Sequence, residues 1–391
     1  MRKLVYSAVA LTLVSVPGFA SDNEWSSLDQ EIANLSTSLS AQNAPGPKLG
    51  GYIKTSYRYS GSNDSLVWSS ATNDQDESGF KLDKVRIEIS GDANQDYSYK
   101  VSFDLGDTGS TAGAGDFARI KDAYVQWKIA DSFRATLGLF TKPVLSESLI
   151  SDKNLLFYQR TALGEFFRPR DTGLMLGGNF DTIEWSISAQ NGVDDTGAQS
   201  KQAHDFANYS ARLAANLMGA GAGKRIEGAY GAAQDTNLTA GIAWADNKAL
   251  QDQDLFAGDL AMTSGPFSIA AEVVSFGKGD PTEGFPAKDG SDLHWGSANS
   301  AVSIDPSDKV SWDATVSYLF TPEYEAAIRY EAGNAKQGAA PDDPSVEAWS
   351  ACVNKYVQGH DIKWTLMVLH TMSDDSTNEI TEWTLGLTVG I

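Results

Sequence analysis

The chain has 391 residues, with 30 lysine and arginine residues against 51 aspartate and glutamate residues, a formal net charge of −21. This negative excess argues against a nucleic-acid partner. The single cysteine, Cys352, excludes an internal disulfide and a zinc site built from cysteines. Aromatic residues make up 10% of the chain and glycine occurs 36 times, which favours strands and turns over helix bundles.

Residues 1–20 have the organisation of a secretory signal peptide. Arg2 and Lys3 precede an apolar run over residues 4–16, and small residues near the end of the segment predict cleavage after Ala20. The apolar run is shorter than the roughly 20 residues that a membrane-spanning helix needs, which disfavours the alternative of an uncleaved anchor. The sequence therefore predicts an exported protein.

Residues 21–42 carry a heptad pattern, because apolar residues recur at alternating spacings of three and four. An isolated helix of this length is marginal in water, so we expect it to associate with copies of itself. The alternative is one amphipathic helix packed against the rest of the protein. Residues 43–48 contain Pro45 and Pro47 and form a linker. The residues of the predicted oligomerisation helix are Trp25, Leu28, Ile32, Leu35 and Leu39.

From residue 49 onward the hydrophobic period is two. Residues 97–105, for example, alternate strictly between apolar and polar side chains. The connections between such segments are alternately short and long, as in membrane barrels. The pattern predicts an all-β fold, a transmembrane antiparallel β-barrel of about 16 strands over 49–391, preceded by the short periplasmic helix. After the first five, the predicted strands lie near 173–180, 183–190, 207–216, 237–245, 255–264, 267–276, 310–320, 324–333, 347–358, 362–372 and 379–391.

A secreted β-sandwich is the alternative fold, since it shows the same alternation and buries the apolar face in a core. The chain is longer than the roughly 100 residues of a usual sandwich, which favours the barrel. Aromatic residues near the ends of the predicted strands also favour it, because such girdles belong at membrane interfaces. The glycine-rich residues 217–236 fall where a short turn is expected, and they contain either longer strands or a periplasmic excursion.

The connection over residues 140–172 is long and rich in charge. A loop of this length in a compact fold is normally functional. Because a barrel of sixteen strands encloses a water-filled lumen, a charged loop can fold inward and set the narrowest point. The alternative is an extracellular flap over the rim. The charged residues of the connection are Lys142, Glu147, Asp152, Lys153, Arg160, Glu165, Arg168, Arg170 and Asp171.

One pattern of residues extends from the predicted fourth strand through this loop. It comprises Asp122, Ala123, Tyr124, Gly138, Phe140, Lys142, Pro143, Glu147, Phe157, Arg160, Phe166, Pro169, Arg170, Asp171 and Gly173. By these residues the chain resembles the phosphate-selective porin O and P family of outer-membrane channels. The resemblance implies a homotrimeric, sixteen-stranded porin in the outer membrane of a diderm bacterium, with a third loop that narrows the pore and a basic wall for anions.

The predicted locations of the charges separate a basic wall from an acidic outer mouth. Inward positions of the first five strands carry mostly lysine and arginine, whereas the long loops carry mostly aspartate and glutamate, as over 64–77 and 280–292. Charge at a narrow constriction governs selectivity more than charge beyond the Debye length of about 8 Å, so we predict a mild anion preference. One alternative is a cation preference set by the acidic loops. Another is that a wet lumen simply tolerates polar residues. The predicted pore-lining cations are Lys54, Arg58, Lys84, Arg86, Lys100, Arg134, Lys142, Arg160, Arg168 and Arg170, and the predicted acidic partners in the loop are Glu147, Glu165 and Asp171.

Motifs for catalysis, cofactors and metals give no positive signal. The glycine run at 218–225 begins with Met218 where a phosphate-binding loop needs glycine, and no Gly-x-Ser-x-Gly motif occurs. We therefore predict neither enzyme activity nor a cofactor or metal. The predicted function is passive diffusion of small hydrophilic solutes and ions, with outer-membrane lipid and small anions or other small solutes as partners. The alternative is a structural or adhesion barrel whose lumen is plugged.

Overall fold

The computed structural model describes residues 46–63, 77–105, 118–168, 170–191, 208–219, 227–232, 235–247, 253–277, 303–304, 310–336, 345–373 and 379–391. The predicted signal peptide, the predicted oligomerisation helix and most acidic residues of the long loops lie outside this set. Almost all of the described residues belong to one structural unit, Pro47–Ile391. Within them, no helix has the length and apolar character needed to cross a membrane.

Sixteen long strands form the wall of the described structure, and a seventeenth, β12, has only two residues and pairs with β14. The strands are β1 (Lys48–Asn63), β2 (Glu77–Asp92), β3 (Tyr97–Leu105), β4 (Ala118–Ala130), β5 (Phe133–Thr141), β6 (Arg170–Phe180), β7 (Ile183–Gln190), β8 (Asn208–Met218), β9 (Asn237–Asn247), β10 (Gln253–Ser264), β11 (Phe267–Phe276), β12 (Ser303–Ile304), β13 (Val310–Thr321), β14 (Tyr324–Lys336), β15 (Ser345–Tyr356), β16 (Ile362–Ser373) and β17 (Glu379–Gly390).

The first and last strands pair with each other and close the sheet. β1 and β17 are antiparallel from Tyr52 opposite Gly390 to Asn63 opposite Glu379. β1 also pairs with β2, and every other long strand pairs with its neighbours in chain order. Each long strand therefore has a partner on both sides, which satisfies its backbone hydrogen bonds. The predicted antiparallel barrel of about 16 strands is confirmed.

The strands turn their apolar face outward and their polar face inward. On β13, Trp312 and Val316 are exposed, whereas Asp313 and Thr315 are buried. This arrangement is the reverse of a water-soluble barrel and suits an apolar surrounding. Outward aromatic rings lie near the ends of the strands: the Tyr97 and Trp127 rings stack with their centroids 5.9 Å apart.

Tight turns connect the strands at one end of the barrel, called the short-turn end, and the longer loops lie at the other. Two of the tight turns place Asp181 and Gly265 at φ values of 54°, the left-handed conformation that two-residue hairpins require. Some predicted boundaries were wrong. β6 begins at Arg170 rather than 173, because Arg170 and Asp171 continue the ladder opposite β5, and β15 ends at Tyr356 rather than 358. The tight connections are 93–96, 131–132, 181–182, 265–266, 322–323 and 357–361.

Candidate functional site: the barrel lumen

The connection between β5 and β6, residues 142–169, is called loop L3 and lies inside the barrel. It contains 3-10 turns at Glu147–Leu149 and Asp152–Asn154 and the short helix α1 (Ala162–Phe166). Thr161 caps α1, because its Oγ1 accepts a hydrogen bond from the Gly164 amide at 2.8 Å. L3 thus has the inward position that its length and charge predict, not that of a flap over the rim.

An apolar surface fixes L3 to one side of the lumen. Phe166 meets Phe276 of β11 edge to face, with the ring centroids 5.6 Å apart. The facing wall contributes apolar residues inward here, next to polar ones, where the barrel elsewhere presents mainly polar residues inward. Burial of such side chains stabilises the docked loop by about 1.5–3 kcal/mol each. The buried cluster of loop and wall contains Val144, Leu145, Leu156, Phe157, Tyr158, Ala162, Leu163, Phe166, Phe167, Ala243, Ala245, Leu255, Ala257, Val274, Phe276, Ala327, Val346, Ala348, Cys352, Met367 and Leu369.

Polar side chains of the same wall bind the backbone of L3 directly. Guanidinium and amide groups donate to loop carbonyl oxygens, and carboxylates accept from loop amides. These contacts satisfy buried backbone groups that have no strand partner. L3 is therefore held by its main chain as well as by its apolar side chains. The contacts are Arg212 to Val144 (2.6 Å), Asn354 to Leu156 (2.7 Å), Arg329 to Gln159 (3.0 Å), Glu147 to Glu272 (2.8 Å) and Ala162 to Glu331 (2.7 Å).

Tyr158 inserts between L3 and the strands that close the barrel. Its hydroxyl donates to Asp83 at 2.6 Å, and its carbonyl accepts from Lys54 at 2.6 Å. The Lys54 amine also lies 4.4 Å from the centre of the Tyr158 ring, a cation–π distance. A Cβ atom on Gly386 of β17 would lie 2.2 Å from the ring, so only glycine leaves room for this approach. L3 consequently contacts both sides of the barrel.

The Asp152 carboxylate forms ion pairs with three cations at the centre of L3. Its carboxylate lies 2.6 Å from Lys84, 2.8 Å from Arg160 and 2.6 Å from Arg168, and it accepts from the Tyr52 hydroxyl at 3.0 Å. Burial opposes ionisation of Asp152, but Arg168, Lys84 and Arg160 outweigh it and hold its pKa well below the usual range. All three cations were predicted to line the pore, but Asp152 was not among the predicted acidic partners, which were Glu147, Glu165 and Asp171.

The predicted pore-lining cations lie on the inward wall or in L3, and most of them pair with carboxylates. This pairing limits the field that each exerts on a passing ion. The pairs include Arg58–Asp83 (2.5 Å), Lys84–Asp152 (2.6 Å), Arg86–Asp104 (2.6 Å), Lys100–Glu88 (3.3 Å), Arg160–Asp152 (2.8 Å), Arg168–Glu165 (2.8 Å) and Arg170–Asp122 (3.1 Å).

Three predicted cations have other surroundings. Within the described part of the chain, neither Lys54 nor Arg134 forms an ion pair, and the Arg134 Nε atom is buried without a hydrogen-bond partner. Burial lowers the pKa of Lys142 to about 8, against the opposing influence of Asp171 and Asp246. Among the predicted strand cations, Lys54 and Arg134 are therefore the two without a described carboxylate at ion-pair distance.

The predicted acidic partners of the loop have separate roles. Glu165 pairs with Arg168, as expected. The Glu147 carboxylate instead accepts from the Thr161 amide at 3.0 Å, which braces the loop around α1. Asp171 lies in β6 rather than in the loop, where its Oδ1 accepts from the amide of the next residue at 2.7 Å, and Arg170 pairs with Asp122.

Residues 227–232 enter the lumen from the short-turn end. The Glu227 carboxylate accepts from the Leu156 amide of L3 at 2.8 Å, and the Tyr230 ring stacks on Tyr356 of β15 at 3.8 Å. Burial raises the pKa of Glu227 to about 7. Of the two interpretations of the glycine-rich stretch, the described part fits an excursion at this end of the barrel, and the excursion turns inward to support L3.

Open space remains between L3 and the inward face of β2 to β6. A cavity of about 230 Å³ lies there, and a second of about 220 Å³ continues toward the short-turn end. Gln126 of β4 lines both cavities, so they adjoin along that strand. The charged residues that line the first cavity are Arg86, Glu88, Lys100, Asp122, Arg160 and Arg170.

Comparison with known proteins agrees with this architecture. The family model for phosphate-selective porin O and P matches residues 53–280. A search of curated sequences gives no match. Similar solved structures include the outer membrane channel DcaP of Acinetobacter baumannii (12% identity, 88% of this chain and 97% of that chain covered, TM-score 0.57), OprB of Pseudomonas putida (8%, 92% and 97%, 0.60) and a loop L8 deletion mutant of Vibrio cholerae OmpT (13%, 88% and 99%, 0.53).

The family match covers more than half of the chain, and the structural neighbours share its closed barrel. At identities this low, the neighbours show the fold alone. Family and fold together indicate a channel rather than an enzyme, in an outer membrane whose lipid contacts the outward apolar face. The chain belongs to the phosphate-selective porin O and P family of outer-membrane porins.

Proposed function

We propose that this porin lets small hydrophilic solutes and ions diffuse across the outer membrane with a mild preference for anions. The observation that carries this proposal is the charge around the open space beside L3, where four cations face two carboxylates. A low-dielectric wall focuses such a field into the water-filled path. The cations are Arg86, Lys100, Arg160 and Arg170, and the carboxylates are Glu88 and Asp122.

The preference is mild because the cations are shared among nearby acids. Asp122 lies within 3.1 Å of Arg170 and within 3.5 Å of Lys100, so one carboxylate offsets parts of two positive charges. A paired cation acts on a distant ion mainly as a dipole, which weakens its pull. We therefore expect anions to pass more readily than cations without tight binding of any one anion.

Arg134→Gln is expected to reduce the anion preference. Arg134 of β5 lines the second cavity, and Thr136, two residues further along the same strand, lines the first, so Arg134 lies close to where the cavities adjoin. One charge about 8 Å from an ion in water contributes about 0.5 kcal/mol before screening, a factor of about two in permeability. The measurement is the reversal potential of single channels in a planar bilayer under a potassium chloride gradient.

Lys355→Gln is the matched control, because Lys355 lies near the same short-turn end but is exposed on the outward face of β15, where its amine is 5.7 Å from the centre of the Tyr324 ring. We expect its reversal potential to stay close to the wild-type value. An equal shift in both variants, or no shift for Arg134→Gln, would refute the assignment. Cation selectivity of the wild type would favour the acidic-loop alternative, and absence of conductance would favour a structural barrel.

We further propose that the protein is a homotrimer that is exported by the signal peptide at 1–20, with the helix at 21–42 joining the protomers. The heptad pattern and the family resemblance support this proposal. Deletion of residues 22–42 is expected to convert the trimer to monomers, measured as a threefold fall in protein mass by light scattering in detergent. A trimer that survives the deletion removes this role from the helix.

A further inference from the structure

Four inward carboxylates lie side by side on four neighbouring strands. Asp259 of β10 is opposite Glu272 of β11, Glu272 is opposite Asp313 of β13, and Asp313 is opposite Glu331 of β14. Residues paired in this way have Cβ atoms about 4.5–5.5 Å apart. Their exposed fractions are only 9%, 6%, 4% and 5% in that order. We call this group the carboxylate row.

The charges that face the carboxylate row do not balance it. Arg212 of β8 pairs with the first member, and Arg329 of β14 pairs with the last at 3.0 Å. Glu147 of L3 adds a fifth carboxyl group. Its backbone amide donates a hydrogen bond to Glu272, which brings Glu147 next to the row. Farther out, Glu184 faces Arg212 and Glu227 faces Arg329. Five close carboxyl groups thus meet two guanidinium groups.

Two carboxylate oxygen atoms in the middle of the row lack a hydrogen-bond donor in the part of the chain that the structure describes. Glu272 Oε2 and Asp313 Oδ2 are buried and have no hydrogen-bond partner within the described structure. Buried like charges at this spacing cannot all be ionised. Among the described residues, no group of histidine, cysteine, aspartate and glutamate side chains is arranged to hold a metal ion. A proton bound to one of these two carboxylates would donate a hydrogen bond and remove one of the neighbouring negative charges.

We propose that the carboxylate row keeps at least one proton at neutral pH, centred on Glu272 and Asp313, and that this proton latches L3 to the wall. The row holds L3 at two points, through the Glu147 amide on Glu272 and the Ala162 amide on Glu331. When the proton leaves, four negative charges repel one another and the Glu147 carboxylate. The repulsion loosens the loop, so alkaline pH makes the channel fluctuate.

The first test observes the proton directly and does not depend on ion conduction. Infrared spectra of the purified wild type are expected to show the carbonyl band of protonated carboxylic acids at pH 7 and to lose it at higher pH. Asp313→Asn should weaken the band, whereas Asp361→Asn, a change at an exposed turn, should leave it intact. A wild-type spectrum without this band at pH 7 would overturn the proposal.

The second test records single channels at pH 7 and pH 9, and it rests on the proposed channel function. The wild type is expected to be quiet at pH 7 and to close repeatedly at pH 9. Asp313→Asn removes one carboxyl group from the row. The fully ionised row of the variant therefore carries no more negative charge than the wild-type row with one proton bound, and we expect the variant to stay quiet at pH 9. If this variant does not fold, Glu272→Gln replaces it.

The infrared and single-channel measurements together distinguish a failure of this proposal from a failure of the proposed channel function. Equal fluctuation of wild type and Asp313→Asn at pH 9, or a wild type that is quiet at both pH values, would contradict the proposal that the proton keeps L3 bound to the wall. Absence of current at every pH, together with a persistent infrared band, would instead contradict the channel function and leave the protonated row in place.

Discussion

Asp152→Asn is expected to raise the permeability of anions relative to cations and to loosen L3. The change leaves Lys84, Arg160 and Arg168 without the carboxylate that they share. Removal of one partner from a buried ion pair costs about 3–5 kcal/mol, and here three cations lose a shared carboxylate, although Arg168 keeps its pair with Glu165. Of these three cations, Arg160 lines the open space beside L3, so we expect a larger change in selectivity than for Arg134→Gln.

The reversal potential under a salt gradient measures this change, and Asp131→Asn is the control. Asp131 is 98% exposed and pairs with Lys128 at a tight turn, so its loss should cost less than about 1 kcal/mol. Burial raises the pKa of Asp152 in the folded protein, but the nearby cations, chiefly Arg168, lower it by more, so its pKa lies below the usual value. Its stabilising contribution is therefore present above the unfolded pKa of about 3.9 and is lost only as the pH falls through the lower folded value. An Asp152→Asn channel with wild-type selectivity would disprove its central role.

Phe166→Ala is expected to detach L3 from β11 and to give a larger, noisier conductance. The Phe166 ring contacts Phe167 and Phe276, with centroid distances of 4.9 Å and 5.6 Å. Removal of a buried phenylalanine ring typically costs about 3–5 kcal/mol. The barrel itself should stay folded, because the strand ladder does not include this side chain.

Single-channel conductance and thermal unfolding separate these two effects. Phe256→Ala is the control, since Phe256 lies on the outward face of β10 with 62% of its surface exposed. We expect the control to keep the wild-type conductance. Unchanged conductance and noise in Phe166→Ala would show that the apolar cluster does not position the loop.

The strands were predictable because a period of two is a local signal. β11 occupies residues 267–276, as the alternation predicts, and most other strands lie within two or three residues of their predicted bounds. The start of β6 was missed because Arg170 and Asp171 are both charged and break the alternation. Their membership in the strand depends on pairing with β5, which no local pattern reveals.

The inward position of L3 was predictable, but its partners were not. A loop has no periodicity, so nothing in the sequence distinguishes Asp152 from the other acids of L3. The carboxylate row was hidden for a related reason. Asp259 and Glu331 each lie on the polar face of a strand, but only the register of four strands brings them to one level of the barrel.

L3 is anchored to widely separated parts of the wall, at β1 through Lys54 and at β8 through Arg212. The strand ladder fixes the circumference of the barrel, but a hydrogen-bonded ring can flatten without breaking any of its rungs. A segment bound at both walls acts as a cross-brace that resists such flattening. The contacts of L3 with both walls are therefore expected to keep the cross-section round when lateral pressure in the bilayer compresses the barrel.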